Sequence, residues 1–347
     1  MAFRRVFAVF GAVALLLSVS ATSYGQDKDS PERKKLSKDE LVQYDALNAL
    51  VNNVVAGKQP APADVKLTFH NHFLKSNANL YMPYSVDVEP GKFTAPVAMY
   101  VRAVSKNPAP AAAAAPAGRG GRGGRGGGNA SPNAPAYPFE DIYFLPPITD
   151  VVNRAMELPA GDYDLHIAMT EKPKDKKTPA KAVVTTQSLS VPATGTALTT
   201  SSVILAKNIE AAAAKLSPQE QLEQPYTMSG YKITPRFTSS IPKAEDLIFV
   251  FFIYNEGVAA SGKPDLDVDY MFYRAAEEKP FSKLATTSFN ATTLPGEFDA
   301  AAGHQVFVGQ GIPLTTFTPG DYKLELKISD KTNSSTVTRN VPFTVTP

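Results

Sequence analysis

One repeat constrains this chain more than any other feature. Pro159-Ala160-Gly161-Asp162-Tyr163, followed by Leu165, Ile167 and Met169 at every second position, returns as Pro319-Gly320-Asp321-Tyr322, followed by Leu324, Leu326 and Ile328. Each copy leads into a similar return strand, Ser188-Leu189-Ser190-Val191 and Pro342-Phe343-Thr344-Val345. The likeness extends upstream. Lys66-Leu67-Thr68 matches Lys232-Ile233-Thr234, and Met99-Tyr100-Val101-Arg102-Ala103 matches Met271-Phe272-Tyr273-Arg274-Ala275. A supersecondary unit written twice is folded twice.

The period of the repeated segments is two. Val65, Leu67 and Phe69 alternate with Lys66, Thr68 and His70, and Leu80, Met82, Tyr84, Val86 and Val88 continue the pattern. Short alternating runs between turn residues, with no helical pattern between them, predict antiparallel sheets rather than βαβ units. The expected fold is mostly β: two tandem antiparallel β-sandwiches with an N-terminal helix. Sandwich one spans 64–206 and sandwich two 229–347, joined by a connector at 207–228. In that connector Ser217-Pro218-Gln219-Glu220 signals a short helix, with a capping box and Pro at the first helical position.

The N-terminal helix is expected over 37–57. Ser37 and Glu40 form a capping box. Leu41, Tyr44, Leu47, Val51, Val54 and Val55 make an apolar stripe at helical spacing, and Gly57 supplies the stop. Before it, residues 1–25 read as a signal peptide: Arg4 and Arg5, an apolar run from Val6 to Val19, and small residues at Ser23 and Gly25. That run is shorter than the ~20 residues a spanning helix needs. A polar linker at 26–36 follows, and no later segment predicts a membrane span. The expected localisation is therefore export to the periplasm or beyond. Sandwich one also carries an Ala/Pro and Arg-Gly insertion at 108–138, expected to be a disordered loop because it holds too little apolar surface to offset its ordering entropy.

Composition narrows the chemistry. With no cysteine, the chain has no disulfide, thiolate metal site or cysteine nucleophile. Its formal charge is +2, and both excess positive charges sit in the leader as Arg4 and Arg5. A near-neutral mature chain predicts no nucleic-acid partner. The three arginines of the insertion have no interleaved aromatic side chain to stack on bases.

The Pro-Gly-Asp-Tyr element resembles the corner before strand F of immunoglobulin-like and fibronectin-III-like sandwiches. That resemblance implies a buried Tyr whose hydroxyl bonds the backbone a few residues upstream. The structural corner residues are then Gly161, Tyr163, Gly320 and Tyr322. Without a Cys pair or a Trp, only the sandwich architecture carries over. Ala56-Gly57-Lys58, Leu205-Ala206, Lys263-Pro264-Asp265-Leu266 and the last strand pair resemble a group of uncharacterised secreted bacterial proteins. Related sandwiches there accompany von Willebrand type A domains or Gly-Trp-x-Thr-Asp segments, neither of which this sequence contains.

Three clusters invite a chemical reading. His70-Asn71-His72 puts two imidazoles on one strand face, as zinc sites do, but lacks a defined third ligand. Asp265, Asp267 and Asp269 alternate on a strand face without the bend or bidentate Glu of a calcium loop. They read as a solvated or edge-protecting face. Tyr270, Phe272 and Tyr273 are the best candidates for a glycan platform, although their alternation more simply describes a core face. No catalytic, metal or cofactor-binding residue is assigned. The expectation is an exported, non-catalytic structural or protein-interaction protein of the bacterial envelope, with another envelope or secreted protein as partner. The alternative is a carbohydrate-binding module.

Overall fold

The computed structural model describes residues 36–76, 79–107, 137–172, 180–214 and 216–347. The leader at 1–25, the linker up to residue 35 and the insertion from 108 to 136 lie outside the described residues. Helix α1 (Lys38–Val55) is followed by strands β1 (Leu67–Asn71), β2 (Leu74–Ser76), β3 (Asn79–Val88) and β4 (Val97–Ser105). Next come β5 (Phe139–Leu145), β6 (Val151–Leu158), β7 (Gly161–Glu171), β8 (Ala182–Val191), β9 (Thr199–Thr200) and β10 (Ile204–Ala211). Helix α2 (Pro218–Glu223) leads into β11 (Thr227–Met228), β12 (Tyr231–Pro235), β13 (Ser240–Pro242) and β14 (Asp246–Tyr254). The last strands are β15 (Leu266–Arg274), β16 (Ser282–Lys283), β17 (Thr287–Phe289), β18 (Val306–Pro313), β19 (Gly320–Asp330) and β20 (Ser335–Thr346). The protein is mostly β; its long ladders β4–β5, β4–β7, β7–β8, β14–β18, β15–β19 and β19–β20 are antiparallel, whereas β13 pairs parallel with β20.

The described chain divides into two units. The N-terminal unit holds residues 36–70 and 84–193; the C-terminal unit holds 71–83 and 194–347. Residues 71–83 and 194–206, which the repeat places with the first copy, thus group with the second. Hydrogen bonding supplies the reason. Strand β10 pairs with both β12 and β14. The 71–83 hairpin is tied to the same unit: the Phe73 amide donates to Ser202 Oγ at 2.9 Å, and the Lys75 amide to the Tyr254 hydroxyl at 3.1 Å.

In the N-terminal unit, β5-β4-β7-β8 form one sheet, and β3 pairs with β1 and β6 in another. Strand β4 is buried from Val97 through Ala103, so both of its faces are covered. Helix α1 covers one: Tyr44, Leu47 and Val51 pack on Ala98, Tyr100, Ile142, Ala168 and Val184. Burying each such side chain stabilises the contact by ~1.5–3 kcal/mol. The helix starts where the sequence predicts, with Ser37 accepting from the Glu40 amide and Glu40 accepting from the Ser37 amide. It stops before Gly57, whose φ of +66° is open to a residue without Cβ. Val55 does not join the stripe; it is exposed, and Leu50 takes part instead.

The C-terminal unit is a two-layer β structure with one continuous core. Leu247, Phe249, Phe251 and Ile253 of β14 and Val306 and Val308 of β18 meet Val268, Tyr270 and Phe272 of β15 and Leu324, Leu326 and Ile328 of β19. One layer runs β11-β12-β10-β14-β18 and the other β13-β20-β19-β15-β16. Alternation explains it: in β19 every second residue from Tyr322 to Asp330 is buried.

Both units share the run β4-β7-β8 or β15-β19-β20, and the ladders fix how the repeats superpose. Ser105 lies opposite Tyr163 and Arg274 opposite Tyr322. Counting back from these pairs, Arg102 is level with Met271, not with Arg274. The upstream match read from the sequence is therefore out of step by an odd number of residues, which would turn every side chain to the wrong face. Arg102 is buried, and Arg274 is exposed at the end of β15.

Candidate functional site

Among the described residues, a dense group of buried polar side chains lies beneath α1. Pairing sets Glu140 of β5 opposite Arg102 of β4, Arg102 opposite His166 of β7, and His166 opposite Thr186 of β8. Four polar residues thus cross one sheet in a single row. Glu140 is fully buried, and Arg102 and His166 nearly so. From the helix, Tyr44, Asn48 and Asn52 recur every fourth residue and reach down to that row.

The hydrogen bonds form a chain. Arg102 Nη1 donates to Tyr137 at 3.1 Å and to Asn52 Oδ1 at 2.8 Å. Asn52 donates to Asn48 Oδ1 at 2.6 Å, and Asn48 to Glu140 Oε1 at 3.3 Å. Glu140 Oε1 also accepts from the hydroxyls of Tyr44, at 3.2 Å, and Tyr100. The Arg102 guanidinium stacks 4.5 Å from the Tyr137 ring centre. Burial and the neighbouring Glu140 charge push the Tyr100 hydroxyl far above its usual range, so it stays a donor. At the far end, burial and then the Arg102 charge lower the His166 pKa, and its Nδ1 sits 2.9 Å from Thr186 Oγ1. A carboxylate already accepting three donors is poorly placed to take a proton from a substrate. The arrangement is suited to locking a helix on a sheet.

A second polar group faces the opposite side of β5. Burial raises the Asp141 pKa to about 6, against a hydrogen bond from Tyr143, the Ile142 amide and the charge of Arg154. The Arg154 guanidinium lies 5.0 Å from the Tyr143 ring centre.

The corner residues occupy equivalent places. The Tyr163 hydroxyl donates to the Pro159 carbonyl at 2.9 Å, and that of Tyr322 to the Thr318 carbonyl at 2.7 Å, each four residues upstream. Both rings are buried. Gly161 and Gly320 have φ of +153° and +150°, and a Cβ at Gly161 would sit 3.3 Å from the Tyr163 hydroxyl. Glycine lets the chain pass over the ring.

The other sequence candidates have partners. His70 Nε2 is 3.1 Å from Asp87, while His72 Nδ1 is 3.0 Å from the Tyr226 hydroxyl and its ring stacks on Phe237. Asp267 bonds Lys331 at 2.7 Å and Ser288 at 2.6 Å; Asp269 bonds Thr286 at 2.6 Å; Asp265 lies 3.7 Å from Lys331. Among the described residues no group of three or more His, Cys, Asp or Glu could hold a metal ion. Tyr270 and Phe272 are in the core, each 1% exposed, and the Lys323 ammonium lies 4.1 Å from the Tyr273 ring centre.

The row beneath α1 escapes sequence reading because its members come from five elements. The legible part of the signal was Tyr44, Asn48 and Asn52, a polar stripe beside the apolar one.

No protein-family model and no curated protein matches the chain. Among solved structures, Escherichia coli alpha-2-macroglobulin activated by porcine elastase is similar over 82% of this chain, at 12% identity and a TM-score of 0.20. A Salmonella alpha-2-macroglobulin matches over the same share at 10% identity and a TM-score of 0.21. This chain spans 22% and 17% of those proteins. Likeness this loose says nothing of activity. Among the described residues no helix is long and apolar enough to cross a membrane.

Proposed function

We propose that the protein is an exported, non-catalytic structural or protein-interaction component of the bacterial envelope, built on two tandem immunoglobulin-like sandwiches. The matched strand runs and the paired Tyr163 and Tyr322 corners support the tandem reading. The observation that carries the non-catalytic reading is the hydrogen-bond chain from Tyr137 to Glu140. The buried Glu140 and Arg102 of that unit fasten α1 to its sheet. A carbohydrate-binding role would need an exposed aromatic platform, and Tyr270 and Phe272 are spent on the core.

The test is cell fractionation with in-cell chemical crosslinking of a tagged chain, beside a glycan array. The expected result is recovery in the envelope fraction, crosslinked to a defined envelope protein. Recovery in the cytoplasm, or glycan binding lost on Tyr273→Ala, overturns the reading.

A further inference from the structure

The sequence repeat makes β8 and β20 equivalent strands, but their outer edges are not alike. Gly161 pairs with Val191 and Gly320 with Val345, so Ser190 corresponds to Thr344, Ser188 to Pro342 and Thr186 to Asn340. On β20, the Thr344 amide donates to the Ser239 carbonyl and the Lys243 amide to the Thr346 carbonyl, so even-numbered residues turn their backbone groups away from β19. Strand β13 covers that edge at residues 344–346. Pro342, at the next outward position, has no N–H to offer a new strand. This edge is closed by a short strand and a proline, two devices that stop strand addition.

On β8 the even residues also point outward, since the Val184 amide donates to the Pro62 carbonyl and the Ala182 carbonyl accepts from Asp64. That cover stops at Val184. Thr186, Ser188 and Ser190 come next, each exposed, and among the described residues the strand that pairs with β8 is β7, with one bridge from Ala63 to Val183. A serine stands where β20 has its proline. No residue of β8 is charged, and none is proline.

We propose that β8 pairs antiparallel with β8 of a second copy of this chain, joining two four-stranded sheets into one. A two-fold axis at Ser188 sets Ser188 opposite its own counterpart, Thr186 opposite Ser190 of the second copy, and Gln187 opposite Leu189 of the second copy. The outward backbone groups of Thr186, Ser188 and Ser190, which bond no backbone group among the described residues, then gain ladder partners. Charge decides for a second copy over a charged peptide. The strand itself carries no charge, and the ammonium of Lys106, which donates to Ser188 Oγ at 2.8 Å, is paired with Asp164 at 3.0 Å, so the edge is locally neutral. A second copy brings the same balanced pair and sets hydroxyl against hydroxyl, whereas a charged segment would meet no excess counter-charge. Pro192 and the Pro62–Val184 bond limit the ladder to its central residues, so the dimer is a weak one.

Sedimentation velocity over a concentration series tests this on the mature chain. The expected result is reversible dimerisation in the micromolar range, weakened at least tenfold by Ser188→Pro. That change is tolerable within the fold because Pro342 occupies the equivalent site opposite Lys323. If Ser188→Pro does not fold, Ser188→Lys gives the same readout by setting two ammonium groups face to face. The chain has no cysteine, so Ser188→Cys introduces a single thiol. Bonded antiparallel pairs have Cα atoms about 5.5 Å apart, within disulfide reach. Oxidation should give a covalent dimer from Ser188→Cys and none from the exposed control Asn340→Cys. A monomer at all concentrations, a dimer indifferent to both Ser188 variants, or equal crosslinking at the two positions overturns the proposal.

Discussion

The outer faces of two equivalent sheets show what a few residues decide. Against α1 the N-terminal unit presents Ala98, Tyr100 and Arg102. In the register set by the tyrosine corners, the C-terminal unit presents Asp267, Asp269 and Met271 at the same positions. The first face is apolar with a central polar row, and a helix covers it. The second carries carboxylates paired with Lys331, Lys283, Ser288 and Thr286. Covering that face with an apolar helix would strip water from ionised groups, at a cost of several kcal/mol each. One shared strand run thus yields a helix seat in one unit and an ion-paired polar face in the other.

The sharpest way to break this comparison is to exchange residues between the two faces. Arg102→Met should destabilise the N-terminal unit by ~3–5 kcal/mol, because it leaves Asn52, Tyr137 and the buried Glu140 without their cation. The reverse exchange, Met271→Arg, should stay within ~0.5 kcal/mol on a solvated face. Chemical denaturation of both variants measures the contrast; equal effects would mean that the row beneath α1 does not hold the helix.

The corners should behave alike where the faces differ. Tyr322→Ala is expected to cost ~3–5 kcal/mol, since it leaves a cavity among Phe317, Phe343 and Phe281. Removing only the hydroxyl, in Tyr163→Phe or Tyr322→Phe, should cost ~1–3 kcal/mol by leaving the Pro159 or Thr318 carbonyl short of a donor. A neutral Phe variant in either unit would separate the two corners.

A third contrast is in pH dependence. Burial raises the folded-state pKa of Asp141 to about 6, above its unfolded value of 3.8. The folded state therefore holds this proton more tightly, so stability from this group rises as pH falls from 7 toward 4. Asp141→Asn should add ~1–2 kcal/mol at pH 7 and flatten that rise, while keeping the acceptor for the Ile142 amide. Thermal melts at several pH values read it; a variant with the wild-type slope would show that Asp141 is solvated. Asp267 has the opposite sign. Burial raises its pKa, but bonds from Lys331 and Ser288 outweigh that and lower it, so its contribution is lost as pH falls through the acid range. Asp267→Ala, the smallest effect, should cost under ~1 kcal/mol.

Much of the plan was legible in the chain. Period-two alternation and the Pro-Gly-Asp-Tyr repeat determined the antiparallel strands and the corners, because side-chain direction in a strand follows directly from sequence position. The capping boxes at Ser37 and Ser217 fixed both helix starts, since a cap is a contact within three residues. What only the tertiary structure decided involves distant partners. It moved residues 71–83 and 194–206 to the C-terminal unit through ladder bonds across long separations. It corrected the match of Arg102 from Arg274 to Met271, because register is set between strands and not along one. It also assembled Glu140, Arg102, His166 and the α1 asparagines, residues 48 to 166 in the chain, whose meeting no local pattern encodes.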